Sequence, residues 1–180
     1  MPESKDLVMN TGPIIALVAA LGDLRLVRSL YRRAIVPFEV CREIQAGGIS
    51  GFAAAQFQDA QWLEKWAHPI DITPYLLNQM DRGEAAVVQM ALNEAISTVC
   101  IDESVGRRVA RLPNLSLTGS IGILLRAKRE GYYSFTMRQA IQRMKDKGIW
   151  LSGRVVEFAL ESAGETASLP GGITPCTWEG

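Results

Sequence analysis

Leu7-Val8-Met9-Asn10-Thr11-Gly12-Pro13 is the stretch that decides the fold, because a short apolar strand ends here at polar and turn-forming residues. Asparagine, glycine and proline close together are typical of a turn, and proline is favoured where a helix starts. The apolar run that follows predicts a helix over residues 14–20. Strand, turn and helix in this order form the first unit of an alternating α/β domain.

The same pattern recurs along the chain. Three more short apolar segments predict buried strands: residues 34–36, 98–101 and 115–117. Each precedes a predicted helix, and these helices end near residues 46, 111 and 130. Short strands that alternate with longer helices predict an α/β fold, with a mostly parallel central sheet and helices on both faces.

The remaining segments are mainly helical. Asp81-Arg82-Gly83-Glu84 has the spacing of a capping box, and it opens the clearest helix, which continues to Ala95. Three further helices are predicted over residues 52–59, 136–147 and 152–163. Residues 62–70 fit a strand or a helix. We therefore expect a single domain over residues 1–163, followed by a Gly/Pro-rich tail over residues 164–180.

The composition narrows the functional classes. The chain has 180 residues, of which 48% are hydrophobic, enough for one sizeable core. Its 19 Lys and Arg balance 19 Asp and Glu, so no overall field draws it to nucleic acid or anionic lipid. Any site for a polyanion must therefore be a local patch. Three cysteines and one histidine provide no ligand set for zinc.

The cysteines and the N-terminal sequence indicate the cellular context. The cysteines are odd in number and far apart, which favours a reducing compartment. The apolar run over residues 14–21 has about the length of a signal-peptide core. A signal peptide also needs a positively charged segment before this core, and the acidic residues Glu3 and Asp6 argue against one. The run is also far shorter than the roughly 20 residues that cross a bilayer. We expect a cytoplasmic protein without a membrane segment.

Oxygen-bearing side chains follow the predicted strands. In open parallel sheets, ligands bind beyond the carboxyl ends of the strands, near the point where the strand order reverses. Asn10, Asp102 and Ser120 lie just past strands, and Glu43 and Glu84 lie early in helices that can face the same edge. Carboxylates held close together repel one another, and a hard divalent cation offsets that repulsion. The pattern indicates a candidate cluster of oxygen ligands suited to Mg²⁺ or Mn²⁺.

Each of these residues also has a purely structural interpretation. Asp102 and Ser120 can cap helices, and Glu84 can complete its capping box. Glu43 can lie on a solvated helix face, and Asn10 can shape a turn. Taken singly, each residue favours the structural interpretation, so the case for a site depends on their coming together.

Taken as a set, the motifs resemble the PIN domain family of metal-dependent ribonucleases, in particular its short prokaryotic members. The matching segments are Val8-Met9-Asn10-Thr11-Gly12-Pro13-Ile14-Ile15-Ala16-Leu17, Val36-Pro37 with Val40 and Glu43, Arg82-Gly83-Glu84-Ala85-Ala86, Ile101-Asp102-Glu103 with Gly106-Arg107-Arg108-Val109-Ala110, and Leu117-Thr118-Gly119-Ser120-Ile121-Gly122 with Leu124, Leu125, Ala127 and Lys128. Each segment is weak by itself. Their unbroken order over roughly residues 6–160 makes chance similarity improbable.

The resemblance implies a three-layer PIN fold and a ribonuclease that cuts single-stranded RNA with one or two Mg²⁺ or Mn²⁺ ions. Its four metal-binding and catalytic positions fall on Asn10, Glu43, Glu84 and Asp102. The first of them is usually aspartate in the family. An amide oxygen still coordinates a hard cation, but it carries no charge, so the affinity for metal should fall.

Several side chains near these positions are candidate RNA contacts: Thr11, Arg107, Arg108 and Ser120. Other arginines accompany them: Arg111 on the same helix, and Arg25, Arg28 and Arg32 on a second basic face. Arginine suits the geometry of phosphate. An ordinary solvated helix surface explains these residues slightly better.

Three functions remain open. The resemblance favours an endoribonuclease, by analogy the toxin of a toxin–antitoxin pair, with a small antitoxin protein and a second copy of the chain as partners. The amide at Asn10 favours a PIN-like module that has lost efficient catalysis and binds RNA or a protein. The balanced charge is natural for a structural or regulatory domain.

Overall fold

The computed structural model describes residues 5–47, 51–110, 114–132 and 136–165. Its strands are β1 (Asp6–Met9), β2 (Arg33–Val36), β3 (Glu64–Lys65), β4 (Thr98–Cys100) and β5 (Ser116–Thr118). Its helices are α1 (Thr11–Leu21), α2 (Arg25–Leu30), α3 (Phe38–Gln45), α4 (Ala54–Asp59), α5 (Pro74–Gln79), α6 (Arg82–Asn93), α7 (Ser104–Ala110), α8 (Ser120–Glu130), α9 (Met137–Asp146) and α10 (Gly153–Ser162). Short strands thus alternate with longer helices, as the sequence pattern predicts.

The five strands form one parallel sheet in the order β3-β2-β1-β4-β5. Val8 in β1 pairs with Ile35 on one side and with Val99 on the other. The chain builds outward from β1 in one direction through β2 and β3, and then in the opposite direction through β4 and β5. The strand order therefore reverses between β1 and β4, which is where α/β sheets place their ligands.

Helices flank the sheet and complete the predicted three-layer α/β fold. Helices α1, α2, α8, α9 and α10 pack together, as do α3 to α7. Helix α1 also contacts α3, and α6 packs against β1 and β4. Leu7, Val8 and Met9 of β1 have no exposed surface, which explains their uninterrupted apolar run. Burying one such side chain stabilises the fold by about 1.5–3 kcal/mol. Within the described residues, no helix has the length and apolar character needed to span a membrane.

Helix α1 begins earlier than the sequence predicts. Asn10 is its N-cap, with an extended backbone, and the helix starts at Thr11, so the turn predicted over residues 10–13 is wrong. Pro13 fits the first turn because the N–H group that it lacks would have no partner there. The helix ends at Gly22, whose φ of +82° lies in the left-handed region that favours glycine.

Three other local predictions change. The ambiguous segment over residues 62–70 contains the short strand β3 at the edge of the sheet. Helix α5 was not predicted, although Pro74 at its start is a helix-opening signal. The helix expected to reach Ala95 ends at Asn93, and Ala95 has a positive φ of 53° that leaves the helical region.

The ends of two predicted elements also differ. Gly119, not Ser120, is the N-cap of α8, and Ser120 is its first residue. Of the predicted tail, Glu165 accepts hydrogen bonds from the backbone N–H groups of Met137 and Arg138 at 2.7 and 2.9 Å. Residues 166–180 and Arg111 lie outside the described residues.

Candidate metal centre

Asn10 lies at the point where the strand order reverses. Its backbone N–H donates to the carbonyl oxygen of Cys100 at 3.0 Å, so it sits between the ends of β1 and β4. The residue is 4% exposed, and its side chain makes no capping hydrogen bond to α1. Among the described residues, its Oδ1 atom has no hydrogen-bond partner. A buried amide oxygen without a partner is costly, so a turn-forming role does not account for this side chain.

Glu84 is a second buried oxygen ligand without a partner. It is 2% exposed, and Oε1 accepts no hydrogen bond from any described residue. Asp81 caps α6 by accepting a hydrogen bond from the backbone N–H of Glu84 at 2.8 Å. The first half of the predicted capping box is therefore present, while the Glu84 carboxyl group is available for another role.

The carboxylates of Asp81, Glu84 and Glu103 form an acidic cluster, in which one oxygen atom from each lies within 4.8 Å of the others. Burial raises the pKa of Glu84 to about 7, and the charges of Asp81 and Glu103 add to this rise. Neither Asp81 nor Glu103 was expected from the sequence to be part of the site. Their closeness in sequence to Glu84 and Asp102 was the available signal.

Glu43 on α3 is linked to this cluster. The Thr11 hydroxyl donates a hydrogen bond to the Glu43 carboxylate, which fixes the side chain beside the start of α1. Burial of the carboxyl group raises the pKa of Glu43, and the charges of Asp81 and Glu103 raise it further. The charge of Glu43 also raises the pKa of Glu84, so these two carboxylates lie near each other. Thr11, which donates to Glu43, directly follows Asn10 in the chain. We call the space beyond the carboxyl ends of β1, β2 and β4 the crevice.

Asp102 lies beside the cluster with partners of its own. Its Oδ1 accepts a hydrogen bond from the backbone N–H of Ser120 at 2.8 Å, so it holds the start of α8 and not that of its own helix. Burial raises the pKa of Asp102, while Ser120 and the charge of Arg107 oppose the rise. The residue as a whole is nevertheless exposed to solvent. The neighbouring residue, Glu103, is the one that joins the acidic cluster.

The predicted RNA contacts differ in what they offer a ligand. Arg107 Nη1 donates to the carbonyl oxygens of Ile101 at 2.9 Å and Thr118 at 3.1 Å, which ties the ends of β4 and β5 together. Arg108 is exposed on the same helix. Ser120 is 1% exposed and lies beneath the surface. Arg108 is therefore the more accessible of the two arginines on α7.

The second basic face is partly neutralised. Arg25 forms an ion pair with Asp23 at 2.6 Å, and Arg32 forms one with Asp6 at 2.8 Å. Arg28 is exposed between them on α2. Because two of its three arginines already have carboxylate partners, this face is a weak candidate for binding phosphate.

The donor set of the crevice fits a hard divalent cation. Asn10 and Glu84 contribute buried oxygen atoms that have no hydrogen-bond partner among the described residues. The nearby carboxylates are also oxygen donors, which Mg²⁺ and Mn²⁺ prefer, whereas the described cysteines, Cys41 and Cys100, are buried free thiols. A cation would satisfy the orphaned oxygens and offset the repulsion among the acids.

A parallel sheet with an acidic cluster of Asp81, Glu84 and Glu103 near its carboxyl edge defines an α/β protein with a candidate cation site. A family model described as PIN domain matches residues 6–165, and the chain belongs to the PIN domain family. PIN domains are generally nucleases, so this is a nuclease fold, which implies binding to nucleic acid. No curated protein and no solved structure matches the chain significantly.

Proposed function

We propose that the protein is a metal-dependent endoribonuclease that cuts single-stranded RNA in the crevice between β1 and β4. The observation that carries this proposal is the buried Glu84 carboxylate, which lacks a hydrogen-bond partner among the described residues and belongs to an acidic cluster. Such a group is destabilising in the apo protein unless a ligand uses it. The PIN family membership supports phosphodiester hydrolysis as that use.

Asn10, Glu43, Glu84 and Asp102 would hold Mg²⁺ or Mn²⁺, with Asp81 and Glu103 as additional acids at the same edge. The bound cation supplies Lewis acidity, which stabilises negative charge on the phosphate and lowers the pKa of water. Thr11 orients Glu43 through its hydrogen bond. The Ser120 N–H orients Asp102 in the same way.

The described thiols do not suggest a protein nucleophile. Cys41 and Cys100 are both buried, and burial raises the pKa of Cys41 to about 11 and that of Cys100 well above its usual value. Thiols of this kind stay protonated and unreactive at neutral pH. Ser120 is also buried, at 1% exposed, which keeps its hydroxyl away from an RNA phosphate. Water is therefore the nucleophile in this proposal.

The RNA would follow the crevice past α7. In this proposal the exposed residue Arg108 binds a backbone phosphate, and the Thr11 hydroxyl, which donates to Glu43, lies at the edge of the acidic site. The charge of the whole chain is balanced, so this contact is local and should hold only a short stretch of RNA.

The direct test is cleavage of a single-stranded RNA in Mg²⁺ or Mn²⁺ by the wild type, Glu84→Ala, Asp102→Ala and Asn10→Asp. Loss of cleavage in the two alanine variants is expected, with an increase in Asn10→Asp because the added charge strengthens metal binding. Glu157→Gln removes an exposed carboxylate on α10 and is the matched control. Metal-independent cleavage, or equal cleavage by all variants, would contradict the proposal.

A second candidate function is a PIN-like module that binds RNA or a protein with little catalysis. The amide of Asn10 favours it, because this buried position contributes an oxygen without charge. Such a module would bind single-stranded RNA in Mn²⁺ without cutting it. It would also gain cleavage in Asn10→Asp, which separates it from a purely structural domain.

A protein partner, by family analogy a small antitoxin in a cytoplasmic toxin–antitoxin pair, or a second copy of this chain, remains part of the proposal. Trp150 and Phe158 are 83% and 58% exposed around α10, and Val155 is exposed next to them. Large apolar side chains at the surface are typical of contact areas. Co-expression with the product of a neighbouring small gene, followed by size-exclusion chromatography, tests for this partner.

A further inference from the structure

Three glycines lie directly against carboxylates of the candidate site. We call them the site glycines, and each comes from a different part of the chain: Gly83 in α6, Gly106 in α7 and Gly119 before α8. They face Glu43, Glu84 and Asp102, respectively. These are the three acidic positions of the proposed site.

The pair of Gly83 and Glu43 shows the geometry most clearly. If Gly83 carried a Cβ atom, its three nearest neighbours would all belong to the Glu43 carboxyl group, with Cδ and Oε2 at 2.9 Å and Oε1 closer still. Two such atoms cannot approach so closely without one of them moving. Glu43 therefore occupies the volume that any other residue at position 83 would fill with its side chain.

The other two pairs repeat this arrangement. A Cβ atom on Gly106 would lie 2.7 Å from Cδ of Glu84 and 3.0 Å from Cγ2 of Ile101. A Cβ atom on Gly119 would lie 2.5 Å from Oδ1 of Asp102, the atom that accepts the Ser120 hydrogen bond. In each case, a carboxylate lies against the backbone of a glycine, where any other residue would carry a side chain.

We propose that the site glycines are positioning residues, which let the Glu43, Glu84 and Asp102 carboxylates reach the metal-binding crevice. This inference rests on the proposed function, since it assigns the glycines to the geometry of the same site. Because glycine has no Cβ atom, another group can approach its backbone closely without steric conflict. Here the approaching groups are the carboxylates of the proposed metal ligands. All three carboxylates lie against backbone, and hydrogen bonds from Thr11 and Ser120 also hold Glu43 and Asp102, respectively.

A methyl group at position 83 should displace the Glu43 carboxylate without unfolding the protein. At Gly83, the conflicting atoms are the far end of a flexible side chain, so the helix can stay in place while the Glu43 carboxylate moves away. Alanine also favours a helix more than glycine does. Gly83→Ala should therefore fold normally and lose metal affinity.

Gly12 provides a matched control. Gly12 and Gly83 are both the second residue of their helices, α1 and α6, and a Cβ atom on Gly12 would meet nothing within 4 Å. Gly12 also lies close to Asn10 and Thr11 in sequence, so it controls for a change near the site. Gly12→Ala should leave the binding of Mn²⁺ unchanged.

The experiment measures the rise in Tm as MnCl₂ is added to the wild type, Gly83→Ala and Gly12→Ala. The Mn²⁺ concentration that gives half of the rise should increase about 10- to 100-fold in Gly83→Ala only, the range expected when a residue that orients a metal ligand is lost. An unchanged response in Gly83→Ala beside a clear response in the wild type would overturn the inference and leave the proposed function intact. No response in the wild type would overturn both.

A metal-free comparison tests the contact itself. In EDTA, Gly83→Ala should raise the Tm in a Glu43→Ala background, because the carboxylate that blocks the methyl group is absent. It should raise the Tm less, or lower it, when Glu43 is present. Equal effects in the two backgrounds would show that Glu43 does not press on Gly83, and would overturn the positioning role without reference to metal.

Discussion

The Thr11 hydroxyl donates a hydrogen bond to the Glu43 carboxylate, which joins the first residue of α1 to α3 across the end of the sheet. The two residues are 32 positions apart in sequence. The contact holds Glu43 at Thr11, the residue after Asn10, and lowers the pKa of Glu43 against the rise caused by burial. A predicted RNA contact thus acts in the structure as a support for a predicted metal ligand.

Replacing Thr11 tests this support. Thr11→Val keeps the shape of the side chain but removes the hydroxyl, so Glu43 should lose its orientation and the affinity for Mn²⁺ should fall about tenfold. Thr11→Ser keeps the donor and should bind Mn²⁺ like the wild type. Calorimetric titration with MnCl₂ measures both variants. Equal affinities in Thr11→Val and Thr11→Ser would show that the hydroxyl does not position Glu43.

Glu84 should make the apo protein less stable as the pH rises. Burial raises its pKa to about 7 in the folded protein from the ordinary 4.5 of a glutamate, so between these values the folded state keeps a proton that the unfolded chain has lost. The contribution of Glu84 to stability is therefore full below about pH 4.5, falls as the pH rises towards 7, and is flat above that. Urea unfolding in EDTA at several pH values measures it.

Glu84→Gln is the control for that pH dependence. Glutamine does not titrate, so the variant should lose this fall in the free energy of unfolding and should exceed the wild type in stability at pH 8. The same slope in Glu84→Gln and in the wild type would mean that another group titrates in this range.

Asn10→Asp should have opposite effects without and with metal. The new carboxylate is buried and enters an already acidic crevice, so the apo variant should lose about 1–3 kcal/mol of stability. With Mn²⁺, the extra charge should strengthen binding and give a larger rise in Tm than in the wild type. Asn10→Ala should show a reduced rise. If Asn10→Asp and Asn10→Ala respond alike to Mn²⁺, position 10 does not contact the ion.

Arg107 should matter for stability, and Arg108 for RNA. Arg107→Met removes the Arg107 donor from the Ile101 carbonyl oxygen, and it leaves Thr118 O with only the Ile101 N–H, which should lower the free energy of unfolding by about 1–3 kcal/mol. Arg108→Met changes an exposed residue and should stay within about 0.5 kcal/mol of the wild type. It should, however, weaken binding of single-stranded RNA at low salt. Equal stability of the two variants would contradict the structural role of Arg107.

The fold was largely predictable because it depends on short-range patterns. Buried strands such as β1 and β4 give continuous apolar runs, and the polar residues after them mark where each strand ends. Since the carboxyl ends of parallel strands share one edge, the sequence predicts Asn10 and Asp102 at that edge. The edge strand β3 has only two residues, too few for a pattern to identify it.

Details of the site depend on three-dimensional relationships that leave no periodic signal. Asp81 has the sequence role of an N-cap, and nothing in its spacing indicates that its carboxylate also lies near Glu103. The approach of Gly83 to Glu43 joins residues that are distant along the chain. Sequence patterns indicate which strand ends carry acidic residues. Which of the neighbouring acids come together depends on how α6 packs against α7, and only the structure shows this.

The most direct test of the account is calorimetric titration of the metal-free protein with MnCl₂ at pH 7.5, for the wild type, Glu84→Ala and Glu157→Gln. We predict saturable binding by the wild type and by Glu157→Gln, and loss of that binding in Glu84→Ala. Saturable binding that is unchanged in Glu84→Ala, or no binding by the folded wild type, would contradict the central claim that the acidic cluster beside Asn10 is a divalent-metal site.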